Sequence, residues 1–311
     1  MSKIVILDAK TLGDDLDLSL LDKFGEVIRY ETTEPSDTLK RINDADIVIT
    51  NKVVITKEIM DKTPRLKLIC IAATGTNNID LNGAKNKGIV VKNVAGYSTK
   101  SVVQHTFAMA LYLLEKMSYY DNAVKSGAWT TSKLFTDASK PFYEIAGKQW
   151  GIIGLGTIGN EVAKIATAFG ADVCYYSTSG QNLQSDYPHK PLDLLLSECD
   201  IISIHAPLNE TTENLLNAKN LSLVKNDAIL LNLGRGGIIN EADLAQELEK
   251  RKIYVGLDVI AKEPIRTDNP LMHLHPQERL LITPHIAWAS IEARNKLLEG
   301  IVKNIQTFLE R

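Results

Sequence analysis

Short runs of β-branched residues alternate with stretches of helical periodicity along nearly the whole chain. In the first hundred residues the runs predict strands at 3–7, 27–30, 46–50, 67–71 and 89–92, with helical spacing between them at 16–23 and 36–42. A strand at 149–153 opens a second series, continued at 172–176, 200–205, 228–233, 254–258 and 280–283. Strands that alternate with helices in this way predict an α/β fold with two parallel sheets, each covered by helices on both faces. A long apolar helix at 100–117 is expected to carry the chain from the first sheet to the second. A final helical stretch, 288–309, is expected to return to the first domain and make it discontinuous: residues 1–98 with 288–311, and 99–287 between them. Residues 127–143 have no clear period, and so long a stretch in a compact protein is more often functional or interfacial than disordered.

One turn in this pattern has its own chemistry. Between the strand at 149–153 and the helix that follows lies Gly154-Leu155-Gly156-Thr157-Ile158-Gly159. Strand, glycine turn and helix together are the context in which a G-x-G-x-x-G match predicts dinucleotide binding. The first glycine permits the tight turn, the second lets the backbone approach a pyrophosphate, and the third lets the helix pack close to the strand. The amides from Gly156 through Thr157, Ile158 and Gly159 then face the negative charge at the helix N-terminus.

Composition narrows the class without adding a function. With 311 residues, 44% hydrophobic and 23% charged, the chain is long enough for two globular domains. A formal net charge of −3 gives no electrostatic reason to expect nucleic acid or an anionic membrane as partner. The apolar run near the N-terminus is too short for a signal peptide and is broken by Asp8, and 106–114 is roughly half a membrane span. Three widely spaced cysteines, Cys70, Cys174 and Cys199, read as reduced core thiols of a cytoplasmic protein, with neither a disulfide nor a metal framework expected.

Three segments beyond the glycine loop sit at strand ends, where parallel sheets place their ligands. In Asn232-Leu233-Gly234-Arg235-Gly236-Gly237 an arginine is held among glycines, and its planar fork suits a carboxylate. Glu263 lies in the loop after Asp258 and is followed by Pro264; read alone, it is an ordinary solvated carboxylate. His285 follows Thr283-Pro284 and precedes the last helix, and histidine is the side chain best suited to moving a proton near neutral pH. Of the remaining histidines, His105 lies within a helix and His205 ends a strand beside Pro207. His189 is expected to be exposed, and His273 and His275 lie in a polar loop with no acidic pattern for a metal.

These three segments, in this order behind this glycine loop, resemble the D-isomer-specific 2-hydroxyacid dehydrogenase family over essentially the whole chain. The resemblance implies a Rossmann cofactor domain inserted in a flavodoxin-like substrate domain. It also implies hydride transfer between a nicotinamide cofactor and a small 2-oxo or 2-hydroxy acid. By the same resemblance Arg235 holds the substrate carboxylate, with backbone amides around Thr74 and Gly75 helping. His285 is the acid–base and Glu263 its partner. Pro207 and Thr212 are expected near the adenosine, and Leu233 and Asp258 near the nicotinamide. Within the family the segments 73–78, 96–99 and 285–290 look most like hydroxypyruvate reductases, also called glycerate dehydrogenases, and the family implies a homodimer.

One feature departs from a strict NAD site. The acidic residue that binds the ribose hydroxyls is replaced by Ser177 and Thr178, and no basic residue follows until Lys190. NAD is expected, with NADP or dual use open. Alternatives that share the fold are other branches, the D-lactate dehydrogenases and the formate dehydrogenases, the latter carrying glutamine where this chain has Glu263, and dinucleotide-sensing corepressors, which keep the three residues.

Overall fold

A computed structural model describes residues 2–181, 183, 185–274 and 277–310, so His275 lies outside the described residues. The chain divides into two compact units, Met1–Ser98 with Ala289–Arg311, and Thr99–Trp288. Trp288 therefore falls in the second unit, and the return to the first comes at Ala289.

The first unit contains β1 (Ser2–Ile6), β2 (Gly25–Arg29), α1 (Thr38–Ile42), β3 (Ile47–Thr50), α2 (Lys57–Asp61), β4 (Leu68–Ile71), α3 (Leu81–Asn86) and β5 (Val90–Lys92). Its five strands are all parallel and lie in the order β2-β1-β3-β4-β5, the flavodoxin-like order. Alternate strand residues go to opposite faces. Val5, Val48, Ile69 and Ile71 pack with Ile42 of α1, Met60 of α2 and Ala84 of α3. The other face is covered by the last helix of the chain, which packs on β4. The helical spacing at 16–23 does not form an α-helix: Leu18–Phe24 is a 3-10 helix. Asp17 accepts hydrogen bonds from both Ser19 N and Ser19 Oγ, and Gly25 ends the segment at once.

The second unit contains α4 (Thr99–Leu114), α5 (Met117–Lys125), β6 (Gln149–Ile153), α6 (Thr157–Ala168), β7 (Asp172–Tyr176), α7 (Leu192–Glu198), β8 (Ile201–Ile204), β9 (Ile229–Asn232), α8 (Glu241–Lys250), β10 (Tyr254–Leu257) and β11 (Leu280–Ile282). The six strands are parallel in the order β11-β10-β9-β8-β6-β7. Here too the faces alternate. Ile202, Ile204 and Leu230 join Leu195 of α7 and Leu244 of α8 in one core, while Ile201 and Leu231 join Val103 of α4 and Val162 of α6 in the other. α9 (Ile291–Leu309), capped by Ser290 Oγ accepting from Ala293 N, completes the chain.

The expected helix over 100–117 is instead two helices. Lys116 takes the left-handed conformation, φ 54°, and its ammonium donates to Leu113 O at 3.1 Å. A left-handed residue after the last turn ends a helix, and the chain restarts as α5. Residues 127–143 have no regular helix or strand, and Trp129, Leu134 and Phe135 there are exposed. Among the described residues no helix is long and apolar enough to cross a membrane.

Candidate active site

The glycine loop lies where the order of the second sheet reverses: β6 has β7 on one side and β8 on the other. At such a point the loops after adjacent strands lead to opposite faces and leave a crevice for a ligand. Gly154 has φ +93°, and a Cβ there would stand 2.9 Å from the backbone of Ala206. A Cβ at Gly159 would stand 2.4 Å from Gly154 O, so this glycine lets the helix close on the turn. Gly156 differs, because a Cβ there would meet nothing within 4 Å. It is also the N-cap of α6 and has no side-chain cap. The first amides of a twelve-residue helix thus face open space, a cradle that fits a pyrophosphate.

The neighbouring loops agree with that fit. His205, at the end of β8, has both ring nitrogens buried and without a hydrogen-bond partner among the described residues. Burial lowers its pKa to about 3, so the ring is neutral and unsuited to acid–base work at ordinary pH. Orphaned buried nitrogens beside the glycine turn suit a polar ligand seated there. Pro207 is exposed. Thr212, by contrast, is fully buried, donates to Pro207 O at 2.7 Å and accepts from Asn209 N at 2.8 Å. Its hydroxyl braces the 207–212 loop, which its spacing in the sequence did not reveal. Ser177 is buried and Thr178 partly so just past β7, and Lys190 is paired with Glu198. Leu233 is buried immediately after β9.

Glu263 and His285, the expected proton-handling pair, follow β10 and β11. Glu263 and His285 meet, with Oε2 at 2.7 Å from Nδ1. An ionised carboxylate only accepts, so Nδ1–H is the donor, and the other ring nitrogen, Nε2, is left for a reacting group. Glu263 is oriented in turn by Ile260 N, which donates to Oε1 at 3.2 Å. His285 has φ 54°, an uncommon conformation that histidine tolerates better than most residues.

Asp258 holds that turn. It is almost fully buried and accepts from Thr283 Oγ1 at 2.7 Å, Ile286 N at 2.9 Å and Ala287 N at 3.0 Å, while its own carbonyl accepts from His285 N at 2.9 Å. His105 Nε2 lies 3.1 Å from Thr283 Oγ1, which adds α4 to the same network. The Thr283 contribution could be suspected only from its place before Pro284.

Arg235 is brought to the same edge of the sheet without joining the pair. Its Nη1 donates to Gly234 O at 2.8 Å. The loop is fixed by Asn232, whose Nδ2 donates to Arg235 O at 2.9 Å and whose Oδ1 accepts from Gly234 N at 3.1 Å. Gly236 decides how near the Arg235 and Glu263 loops come, since a Cβ there would stand 2.0 Å from Ile260 O. In the first unit, Thr74 donates through Oγ1 to Val94 O at 3.2 Å and accepts from Asn93 Nδ2 at 2.6 Å through its carbonyl; Gly75 follows it in the turn after β4.

Known proteins resemble this chain over nearly its whole length. The model for the D-isomer specific 2-hydroxyacid dehydrogenase NAD binding domain matches residues 107–287. The chain is 39% identical to a hydroxypyruvate reductase of Blautia hydrogenotrophica, covering 99% of this chain and 97% of that protein. It is 36% identical to a glycerate dehydrogenase of Methylorubrum extorquens, covering 99% and 96%. Among solved structures, the D-lactate dehydrogenase of Aquifex aeolicus complexed with NAD and lactic acid superposes with a TM-score of 0.84 at 27% identity, covering 99% and 95%. A glycine cradle at the reversal of a parallel sheet, with a histidine–glutamate pair and an arginine at the same edge, therefore has a name: this chain belongs to the D-isomer specific 2-hydroxyacid dehydrogenase family, and is a nicotinamide-dependent oxidoreductase.

Proposed function

We propose that the enzyme reduces hydroxypyruvate to D-glycerate, with glyoxylate as a smaller acceptor, and that Arg235, Glu263 and His285 carry the reaction. The observation that supports this most is the 2.7 Å contact between Glu263 and His285, which leaves Nε2 as the free proton donor. Reduced nicotinamide, when bound, supplies the hydride to the carbonyl carbon. Protonated His285 donates from Nε2 to the carbonyl oxygen as negative charge grows there, and takes the hydroxyl proton in the reverse direction. Glu263 accepts from Nδ1 and so fixes the ring plane with Nε2 towards the reacting group. Arg235 turns from Gly234 O to the substrate carboxylate, where its fork makes two parallel hydrogen bonds and its charge faces the developing oxyanion. The substrate reading is supported by the names of the relatives at 39% and 36% identity.

The cradle at Gly154, Gly156 and Gly159, with Thr157 and Ile158, would hold the pyrophosphate. Ser177 and Thr178 would face the adenosine ribose, Pro207 in the loop braced by Thr212 would flank the adenine, and Leu233 and Asp258 would lie on the nicotinamide side. NADH is the proposed cofactor, and NADPH is tolerated because neither Ser177 nor Thr178 bears a charge to repel a 2′-phosphate. A steady-state panel of 2-oxo acids with NADH and with NADPH tests the whole reading. The expected result is the highest kcat/KM with hydroxypyruvate, and a larger value for pyruvate or a branched 2-oxo acid would reassign the substrate.

The enzyme is further proposed to be a homodimer. The exposed apolar side chains Val124, Trp129, Leu134 and Phe135 support this, because a patch of that kind is uncommon on a monomer. A reducing, cytoplasmic setting is supported by three buried cysteines in no disulfide, although the sulfurs of Cys174 and Cys199 lie 3.5 Å apart.

A further inference from the structure

We propose that the second unit carries another ligand site, at the opposite edge of its sheet from the catalytic residues, and that this site binds a small phosphorylated anion. Lys250, Arg251 and Lys252 lead into β10, Lys116 follows α4, and Arg279 immediately precedes β11. Asp258 and His285 leave the far ends of the same two strands. Four residues of β10 separate the two edges by roughly 13 Å.

A cavity of about 510 Å³ opens there, lined by those five side chains and Lys140. Against these six cations stand two lining carboxylates, Glu249 and Glu278, in a chain whose net charge is −3. Some of the cations have structural duties. Lys252 pairs with Asp227 at 2.7 Å. Arg251 donates to Ser222 O and Val224 O and lies 3.5 Å from Glu247. Arg279 donates to Arg251 O and to Leu248 O at 2.9 Å. Basic residues that satisfy carbonyls at helix C-termini are common.

Lys116 has a duty of the same kind, donating to Leu113 O at 3.1 Å, but that bond uses one of its three N–H groups. It is half-buried, its ammonium sits 3.4 Å from the centre of the Tyr254 ring, and among the described residues no carboxylate lies within ion-pair distance. Burial, reinforced by Lys252 and opposed by Asp227, lowers its pKa to about 8. A partly desolvated ammonium with no carboxylate in contact is a cost that a bound anion removes. Lys140 and Lys250 likewise have no ion pair among the described residues and are exposed at the rim.

The free groups select the anion. Both guanidinium forks are occupied by backbone carbonyls, so the planar bidentate recognition that favours a carboxylate is not on offer. Three point-charge ammoniums remain, with the hydroxyl of Ser118 in the same lining and that of Ser139 held 3.1 Å from the Tyr119 hydroxyl. Several donors converging from different directions suit a tetrahedral group with many acceptor oxygens.

Pyrophosphate titrated calorimetrically at constant ionic strength into enzyme saturated with NADH tests the site, because NADH fills the glycine cradle. Saturable binding, one per chain, is expected. Lys140→Glu with Lys250→Glu, both at exposed positions, should weaken it at least tenfold while melting temperature and NADH binding stay as in the wild type. Lys116→Met should weaken it too, and Arg235→Ala should not. Malonate should bind at least tenfold more weakly than pyrophosphate. Absence of saturable binding, an unchanged affinity in the double variant, loss of binding in Arg235→Ala, or equal binding of malonate would each overturn the proposal.

Discussion

At the scale of single residues, the proposed reaction depends on which nitrogen of His285 faces the substrate. Glu263 accepts from Nδ1 at 2.7 Å and is itself fixed by Ile260 N, so the ring cannot turn without losing a charge-assisted hydrogen bond. His285→Ala should lower kcat by ~10²–10⁴-fold with NADH binding retained, since it removes a general acid and nothing in the cradle. Glu263→Gln keeps the shape but replaces the charge-assisted hydrogen bond to Nδ1 with a neutral one, so kcat for hydroxypyruvate reduction should fall by about tenfold or more with NADH binding retained; wild-type turnover in this variant would refute the pairing as a functional one. On the proposed reading, cofactor choice turns on one position. Ser177→Asp places a carboxylate at the end of β7, where it should penalise NADPH against NADH through repulsion of the 2′-phosphate. If the ratio of the two kcat/KM values is unchanged, the ribose lies elsewhere.

At the scale of elements, the site is made by loops that approach one another more closely than side chains would allow. The loop after β9 and the loop after β10 touch backbone to backbone at Gly236, where a Cβ would stand 2.0 Å from Ile260 O and 2.4 Å from Ala261 N. Backbone cannot yield as a flexible side chain can. Gly236→Ala should therefore push the 260–263 segment away, disturb the amide that orients Glu263, and cost roughly 1–3 kcal/mol of stability as other overpacked positions do. Denaturant unfolding and kcat/KM should fall together. A variant with wild-type stability and turnover would show that the two loops do not meet this way. Asp258 plays a comparable role for the turn after β11, because three donors from 283–287 converge on its carboxylate.

At the scale of the whole molecule, the segment from 127 to 143 has no regular helix or strand and presents large apolar side chains to solvent, with Leu134 at 69% and Phe135 at 89% of full exposure. Burying such side chains contributes on the order of 1.5–3 kcal/mol each, enough for a few of them to hold two copies together. Sedimentation equilibrium should show a dimer in the wild type, and Phe135→Lys should shift the equilibrium towards monomer. Wild-type sedimentation as a monomer at micromolar concentration would remove this proposal and leave the catalytic reading untouched.

Much of this architecture was legible in the sequence because it is written in short windows. A β-branched run, a glycine turn and a helical period each declare themselves within about ten residues, and repeating them along the chain predicts parallel sheets covered on both faces. The cradle was readable for the same reason, since Gly154, Gly156 and Gly159 act on their own turn. Short windows also misled. The apolar spacing through 100–117 does not show that Lys116 turns left-handed, and 16–23 has a helical period too short to survive the Asp17–Ser19 hydrogen bonds and Gly25. Tertiary structure alone decided which groups satisfy each other across the chain. Glu263 meets His285 from 22 residues away, Thr212 turns inward to brace its loop, and Asp258 gives its carboxylate to the turn that carries His285. The basic cavity likewise gathers side chains from α4, the 127–143 stretch, the end of α8 and the approach to β11. Partners of this kind are selected by packing, because a buried polar group must find whichever donor or acceptor the fold brings within about 3 Å, and no local pattern records which one that is.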